Sequence, residues 1–275
     1  MKKAILAFFV LSFLCFGLES VAQFKPEEIT DFAKWEEFLQ TAGIVSSKQM
    51  SESEGVTRPW VLTLEKDGVT KRGAWKNVEG RPKGYIDNWR YEIAAYRISN
   101  YLGLNMVPPT VEKRFQENRG SCVVWVDYWK NFEDIINEKK QPPSLKVAVF
   151  YRALYLQRAF DNLIANVDRH RRNYLITEDW RLILIDHSRS FRTDKASTKK
   201  LIYDEKYKEG PNFIMSELPR KFVEILKALD FKVIKDLVGE YLTDEEINTT
   251  LIRRDLIIAW LDKRIKEMGE ERVLY

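Results

Sequence analysis

Cysteine and histidine are almost missing from this chain: among 275 residues there are two of each, Cys15 and Cys122, His170 and His187. Cys15 falls in a leader expected to be removed, so one thiol remains and no intramolecular disulfide can form. His170 and His187 with Asp186 are too few for a zinc centre, because no third strong ligand stands at the spacing of a known site. Charge of one sign is also lacking. Forty-five basic side chains face forty-one acidic ones along the whole sequence, which excludes the basic stripe that a nucleic-acid partner needs. Repeats and low-complexity tracts are absent. Beyond the first 22 residues no apolar run approaches the ~20 residues that span a bilayer.

The first 22 residues read as a secretory signal. Lys2 and Lys3 form the charged region, Ala4 to Phe16 the apolar region, and Ser20-Val21-Ala22 a small-x-small cleavage site. Cys15 is not expected to be lipidated, since Ser12-Phe13-Leu14 lacks the small residue that precedes a lipidated cysteine. The expected product starts at Gln23, is exported to the periplasm or beyond the cell, and keeps no transmembrane segment. Removing 22 residues from 275 leaves 253, enough for one large domain or two lobes around a cleft.

The pattern divides in two. In the first part, Phe32, Trp35, Phe38 and Leu39 recur at helical steps and predict one amphipathic helix over residues 26–42. An antiparallel meander follows: a strand at 60–64, a turn at Lys66-Asp67-Gly68 and a second strand at 69–78 that carries Lys76. Before it, residues 51–57 form a polar loop, including Gly55 and Thr57, with backbone N–H groups and hydroxyls suited to an anion. A helix is predicted over 88–101, with Glu92 among its apolar positions and Gly103 at its end. Residues 122–129 read as a buried strand leaving its sheet near Asp127.

The second part is helical. Polar residues around Lys139, Lys140, Pro142 and Pro143 mark the boundary, giving an expected division at 23–130 and 131–275. Ser144 is placed to cap a long central helix over 145–164, residues 192–210 read as a mobile surface loop, and further helices are predicted at 220–229 and from the Thr243-Asp244-Glu245-Glu246 capping box through Trp260.

Between the central helix and that loop lies DNLIANVDRHRRNYLITEDWRLILIDHSRSF, residues 161–191. It has the outline of a helix end, a polar loop and a strand pair. Asp168 and Asn173 stand five apart in the loop, and Asp186 follows an apolar run. An oxygen donor set of this kind suits a hard divalent cation and phosphate chemistry. Each residue also has an ordinary structural role: turn hydrogen bonds for Asp168 and Asn173, a solvated edge for Lys76, a helix surface for Glu92.

The segments NVDRHRRN and LILIDHSRSF resemble the catalytic and metal-binding loops of the atypical kinases, a superfamily that includes HipA-like, phosphoinositide and secretory-pathway Golgi kinases. GAWK and YEIAAYRISNYLGLNMVPPTV resemble their nucleotide lysine and glutamate helix. This resemblance implies an α+β, two-lobed protein-kinase-like fold with a small antiparallel β-rich N-lobe, one key helix and a mainly α-helical C-lobe. It implies Asp168 as the catalytic carboxylate, Asn173 and Asp186 as ligands of Mg²⁺ or Mn²⁺, Lys76 on the phosphates of ATP, and Glu92 paired with Lys76. It places adenine at the backbone of Val126, Asp127 and Tyr128, and assigns His170 to bracing the loop. The acceptor it implies is a hydroxyl of a protein or glycan. Two departures stand out: the loop before Trp60 is not glycine-rich, and Asp186-His187-Ser188 replaces the Asp-Phe-Gly of ordinary protein kinases. A pseudokinase scaffold and an adenylyltransferase are the alternatives on the same residues.

Overall fold

The computed structural model describes residues 24–51, 58–81, 86–203 and 215–275; the expected leader, Gln23, Gly55, Thr57 and residues 204–210 of the expected surface loop lie outside them. The N-terminal helix forms in two pieces, α1 (Pro26–Thr30) and α2 (Phe32–Thr41), broken at Asp31. The break divides the apolar period. Phe24 and Phe32 join the larger core of the molecule, whereas Phe38 and Leu39 cover a sheet.

That sheet has five antiparallel strands in the order β1-β2-β3-β7-β6, with β1 at Gly43–Gln49, β2 at Trp60–Lys66, β3 at Val69–Lys76, β6 at Thr110–Phe115 and β7 at Asn118–Val124. Period-two alternation assigns its faces. Leu62, Leu64, Trp75 and Cys122 pack with Phe38 and Leu39 in a small core, and each fully buried leucine there contributes roughly 2 kcal/mol. Lys76, next to Trp75 in the strand, therefore points to the opposite face. The strand ends at Lys76, two residues short of the expected 78.

Two short strands, β4 (Glu79–Gly80) and β5 (Asp87–Asn88), pair with each other and lead into α3 (Arg90–Tyr101). Helix α3 therefore begins two residues later than the periodicity suggests, because Asp87 and Asn88 are taken by β5. It is buried on nearly every side, and its residues Tyr91, Ala94, Ala95, Tyr96 and Ile98 belong to the core of the helical region. Gly103, at φ +69, supplies the left-handed residue that ends it.

β7 ends at Val124, three residues before Asp127, and the Trp125 N–H still donates to Arg72 O of β3 at 2.9 Å. The chain crosses to β8 (Lys130–Asn131) and α4 (Phe132–Asn137), a short helix absent from the sequence reading and opened by an Asn131–Asp134 capping box. Ser144 opens a 3₁₀ turn rather than a cap, and α5 (Val147–Ile164) follows without a side-chain cap. From Ala153 to Ile164 every residue of α5 is buried, as expected of a central helix. Strands β9 (Tyr174–Ile176) and β10 (Leu182–Leu184) pair antiparallel, with β8 on the other side of β9.

The segment 192–203 differs from the solvated loop expected of it. Asn162 Oδ1 accepts from the N–H groups of Ile202 and Tyr203 at 2.8 and 3.0 Å, and the buried Arg253 donates to Ser197 O at 2.5 Å. Arg253 belongs to α8 (Asp244–Met268), which starts at the Thr243–Glu246 capping box and runs eight residues past Trp260. Before it lie α6 (Arg220–Ala228) and α7 (Phe231–Val238). The protein is thus α+β, an antiparallel β-rich region followed by a helical one.

Candidate active site

Lys76 leaves β3 on the face away from the small core, and the residues that meet it come from distant parts of the chain. Its Nζ donates to Glu92 Oε1 and to Asp186 Oδ1, each at 2.7 Å, across sequence separations of 16 and 110 residues. The Lys76 and Glu92 side chains are 11% and 3% exposed, while Asp186 keeps 34% of its side chain open. In this low-exposure setting an unpaired charge is costly, so the three hold one another ionised. Burial opposes the charge on Lys76, but Asp186 and Glu92 outweigh it and hold the ammonium above its ordinary value. Burial likewise opposes ionisation of Glu92, yet Lys76 and His187 keep it well below the usual carboxylate range. The Asp186 carboxyl is also lowered: burial works against it and Lys76 prevails.

Asp186 sits two residues beyond β10 in a left-handed conformation, φ +62. Neighbouring backbone bonds keep it there. The Ile185 N–H donates to Asn173 O at 3.2 Å, and the His187 N–H donates to Glu92 Oε2 at 3.0 Å. Glu92 thus uses one oxygen on Lys76 and the other on the backbone after Asp186. The His187 ring is fully buried against Phe160, and burial, then Arg169, press it toward the neutral form.

Asp168 and Asn173 share the loop after α5. Asn166 Oδ1 accepts from the Asp168 N–H at 3.1 Å, and Asn173 Nδ2 donates to Asp168 O at 3.3 Å. Burial raises the Asp168 carboxyl, an effect that Arg189, 3.0 Å from Oδ2, opposes. Arg169 is the brace of this loop. It donates to both oxygens of Asp161 in α5, to Asn173 O at 3.1 Å and to Ile185 O at 2.5 Å, tying the loop of Asp168 to the strand end of Asp186. The role expected of His170 falls to its neighbour, for His170 is exposed. Arg172 pairs with Glu133 at 2.5 Å on the surface. The sequence signal for the brace was Asp161, a carboxylate inside an apolar helix, which demands a buried cation.

Val126, Asp127 and Tyr128 form the extended crossover between β7 and β8, with Val126 half-buried against the larger core and the other two exposed. Helix α3 is fixed from behind: Arg97 Nη1 donates to Leu237 O at 3.0 Å, and the Tyr91 hydroxyl bonds Glu246.

No family model matches the sequence, and no curated protein does. Solved structures match the fold. A hydra Fam20 structure with sugar aligns at a TM-score of 0.64 and 15% identity, over 90% of this chain and 92% of that one. The Golgi casein kinase aligns at 0.63 and 15% identity over 93% and 81%. Its form with Mn and ADP bound aligns at 0.62 and 15%, over 93% and 80%. The fold is kinase-like. Each alignment covers nine-tenths or more of this chain, so the likeness takes in both the sheet and the helical region.

Proposed function

We propose that this chain is an exported, metal-dependent phosphotransferase that moves the γ-phosphate of ATP to a hydroxyl of a protein or glycan. The observation that carries this reading is the closure of Lys76 on both Glu92 and Asp186 at 2.7 Å. A kinase-like fold has no structural need for a lysine held between two carboxylates from opposite sides of its cleft; nucleotide phosphates do.

The donor set fits a magnesium-class ion. Glu92, Asp168, Asp186 and Asp87 gather around Lys76 and Arg189, an excess of two negative charges. An ion of this class takes one or two protein oxygens and completes its shell with water and phosphate, and Asp186 keeps 34% of its side chain open for it. Asp186 and Asn173 would hold Mg²⁺ or Mn²⁺, which supplies charge neutralisation on the phosphate oxygens. The Golgi casein kinase structure with Mn and ADP supports the same class of ligand.

Lys76 has committed two of its three N–H donors, and it meets the nucleotide phosphates while Glu92 keeps it aimed. The crossover at Val126 to Tyr128 faces adenine with backbone groups. Asp168 receives the proton of the acceptor hydroxyl as the acceptor oxygen bonds to the γ-phosphorus. The bond from that phosphorus to the bridging oxygen breaks, and ADP leaves with the electron pair. Residues 1–22 act as the export signal, and the lobes divide at the crossover near residue 130.

The test is ATP labelled at either the γ- or the α-phosphate, incubated with the mature protein and Mg²⁺ or Mn²⁺. Transfer of γ-label that disappears in Asp168→Ala and Asp186→Ala supports the reading. Transfer of α-label establishes adenylylation instead, and no transfer from either refutes it.

A further inference from the structure

Asp87 bonds Ser188 and Arg189 rather than Lys76, and its side chain is 1% exposed. Two bonds from the loop after Asp186 account for that burial. Ser188 Oγ donates to Asp87 Oδ1 at 2.6 Å, and Arg189 Nε donates to Asp87 Oδ2 at 3.1 Å. The backbone reinforces them, with the Asn88 N–H donating to Ser188 O at 2.9 Å. The strand pair β4–β5 is thereby fastened to the segment that carries Asp186.

Arg189 continues the connection. Its Nη1 donates to Asp168 Oδ2 at 3.0 Å, so one guanidinium, 13% exposed, spans a carboxylate from each lobe. A planar fork spans two carboxylates with fixed geometry, which the single ammonium of a lysine does not reproduce. Among the described residues the other bonds of Asp168 run through its backbone, its N–H donating to Asn166 Oδ1 and its carbonyl accepting from Asn173 Nδ2 and the His170 N–H. Arg189 is the contact that sets the direction of the carboxylate itself. With Oδ2 occupied, Oδ1 is the oxygen left for an acceptor.

We propose that Arg189 is a positioning residue for Asp168, and that Asp87 in turn positions Arg189, so that the β4–β5 pair governs the orientation of the carboxylate that takes the acceptor proton. This rests on the phosphotransfer reading of the same cleft. Misplacing a reacting group by about 1 Å costs on the order of 100-fold in rate, so losing this hold reduces turnover while leaving the nucleotide pocket formed.

A double-mutant cycle on the full mature chain tests it, with Mg²⁺-ATP turnover to ADP as the rate and Mg²⁺-ADP titration as the measure of folded sites. Arg189→Gln is expected to lower kcat by on the order of 10-fold or more, with Mg²⁺-ADP affinity and stoichiometry unchanged within about twofold. In an Asp168→Asn background the same change is expected to cost less than about twofold, because the residue through which Arg189 acts is already gone. Asp87→Asn, which removes one anchor of the guanidinium and keeps the shape, is expected to lower kcat in the wild-type background only; it serves where Arg189→Gln does not fold. Equal losses in both backgrounds, or a loss confined to nucleotide KM, assign Arg189 a general structural or nucleotide role and overturn the proposal. Undiminished turnover in both variants overturns it as well. A wild-type chain that neither binds Mg²⁺-ADP nor turns over ATP refutes the phosphotransfer reading itself, and this one with it.

Discussion

Arg169 meets Asp161 through two charge-assisted bonds, Nε to Oδ2 at 2.9 Å and Nη2 to Oδ1 at 3.1 Å, on side chains that are both wholly removed from solvent. Removing one partner leaves the other charge buried without compensation. Asp161→Asn and Arg169→Gln are each expected to destabilise the fold by about 3–5 kcal/mol, measured by urea unfolding. The double variant is expected to lose less than the sum. The exposed neighbour His170→Ala is expected to stay within about 0.5 kcal/mol of wild type.

Glu92 makes stability depend on acid. Its carboxyl is held below the usual range in the fold, where burial opposes ionisation but Lys76 and His187 prevail, whereas in the unfolded chain it titrates near its ordinary value of about 4.3. The unfolded state thus binds its proton first as pH falls, and the stabilisation is complete above that value and lost below it. Urea midpoints from pH 7 down to pH 3 are expected to fall below about pH 4 in the wild type. Glu92→Gln, weaker at pH 7, is expected to lack that part of the decline.

Much of the cleft's N-lobe side was legible from local pattern. Trp75 and Lys76 occupy adjacent strand positions, so a buried tryptophan sends the lysine to the opposite face, and Glu92 sits among the apolar positions of its helix. The pairing of Lys76 with Asp186 was not legible, because 110 residues separate them and only tertiary packing joins them. The same holds for Arg189 with Asp87, 102 residues apart. Helix α4 has six residues, too few for a clear period beside polar neighbours, whereas α7 does carry Phe231, Ile234, Leu237 and Val238 at helical steps and went unread between its two neighbours. Residues 192–203 read as solvated because their lysines face water, while Asn162 and Arg253 from two other helices take up their backbone groups. The left-handed Asp186 had no glycine to announce it.

Asp168 illustrates a conflict between stability and chemistry. Burial raises its carboxyl above the ordinary value despite Arg189, so the unfolded chain releases this proton more readily than the fold does. Stability therefore falls as pH rises from the ordinary value through the folded one, and the cost persists at neutral pH. Asp168→Asn is expected to melt at or above the wild-type temperature at pH 7.5 while γ-phosphate transfer falls by about 10²–10⁴-fold. Calorimetry and the labelled-ATP assay on the same preparation check both halves.

Gly120 lets β7 approach the end of β3. A Cβ there would lie 2.3 Å from Lys76 O and 2.7 Å from the Trp75 ring, and neither yields easily. Gly120→Ala is expected to destabilise by about 1–3 kcal/mol and to weaken nucleotide binding by displacing Lys76. At Gly43 the nearest contact would be 3.7 Å, from Glu65 O, and Gly43→Ala is expected to leave nucleotide affinity unchanged.

Titration calorimetry of ATP into the mature protein, with Mg²⁺ and with chelator, tests the cleft itself. The arrangement of Lys76, Glu92 and Asp186 predicts saturable binding at one site per chain that requires the metal. Asp186→Asn is expected to abolish the metal dependence, and Lys76→Met to weaken binding on the order of 10-fold or more, the loss of one charged phosphate contact. Absence of binding in the wild type, or equal metal-dependent affinity in Asp186→Asn, would contradict the assignment of this cleft to a metal–nucleotide complex.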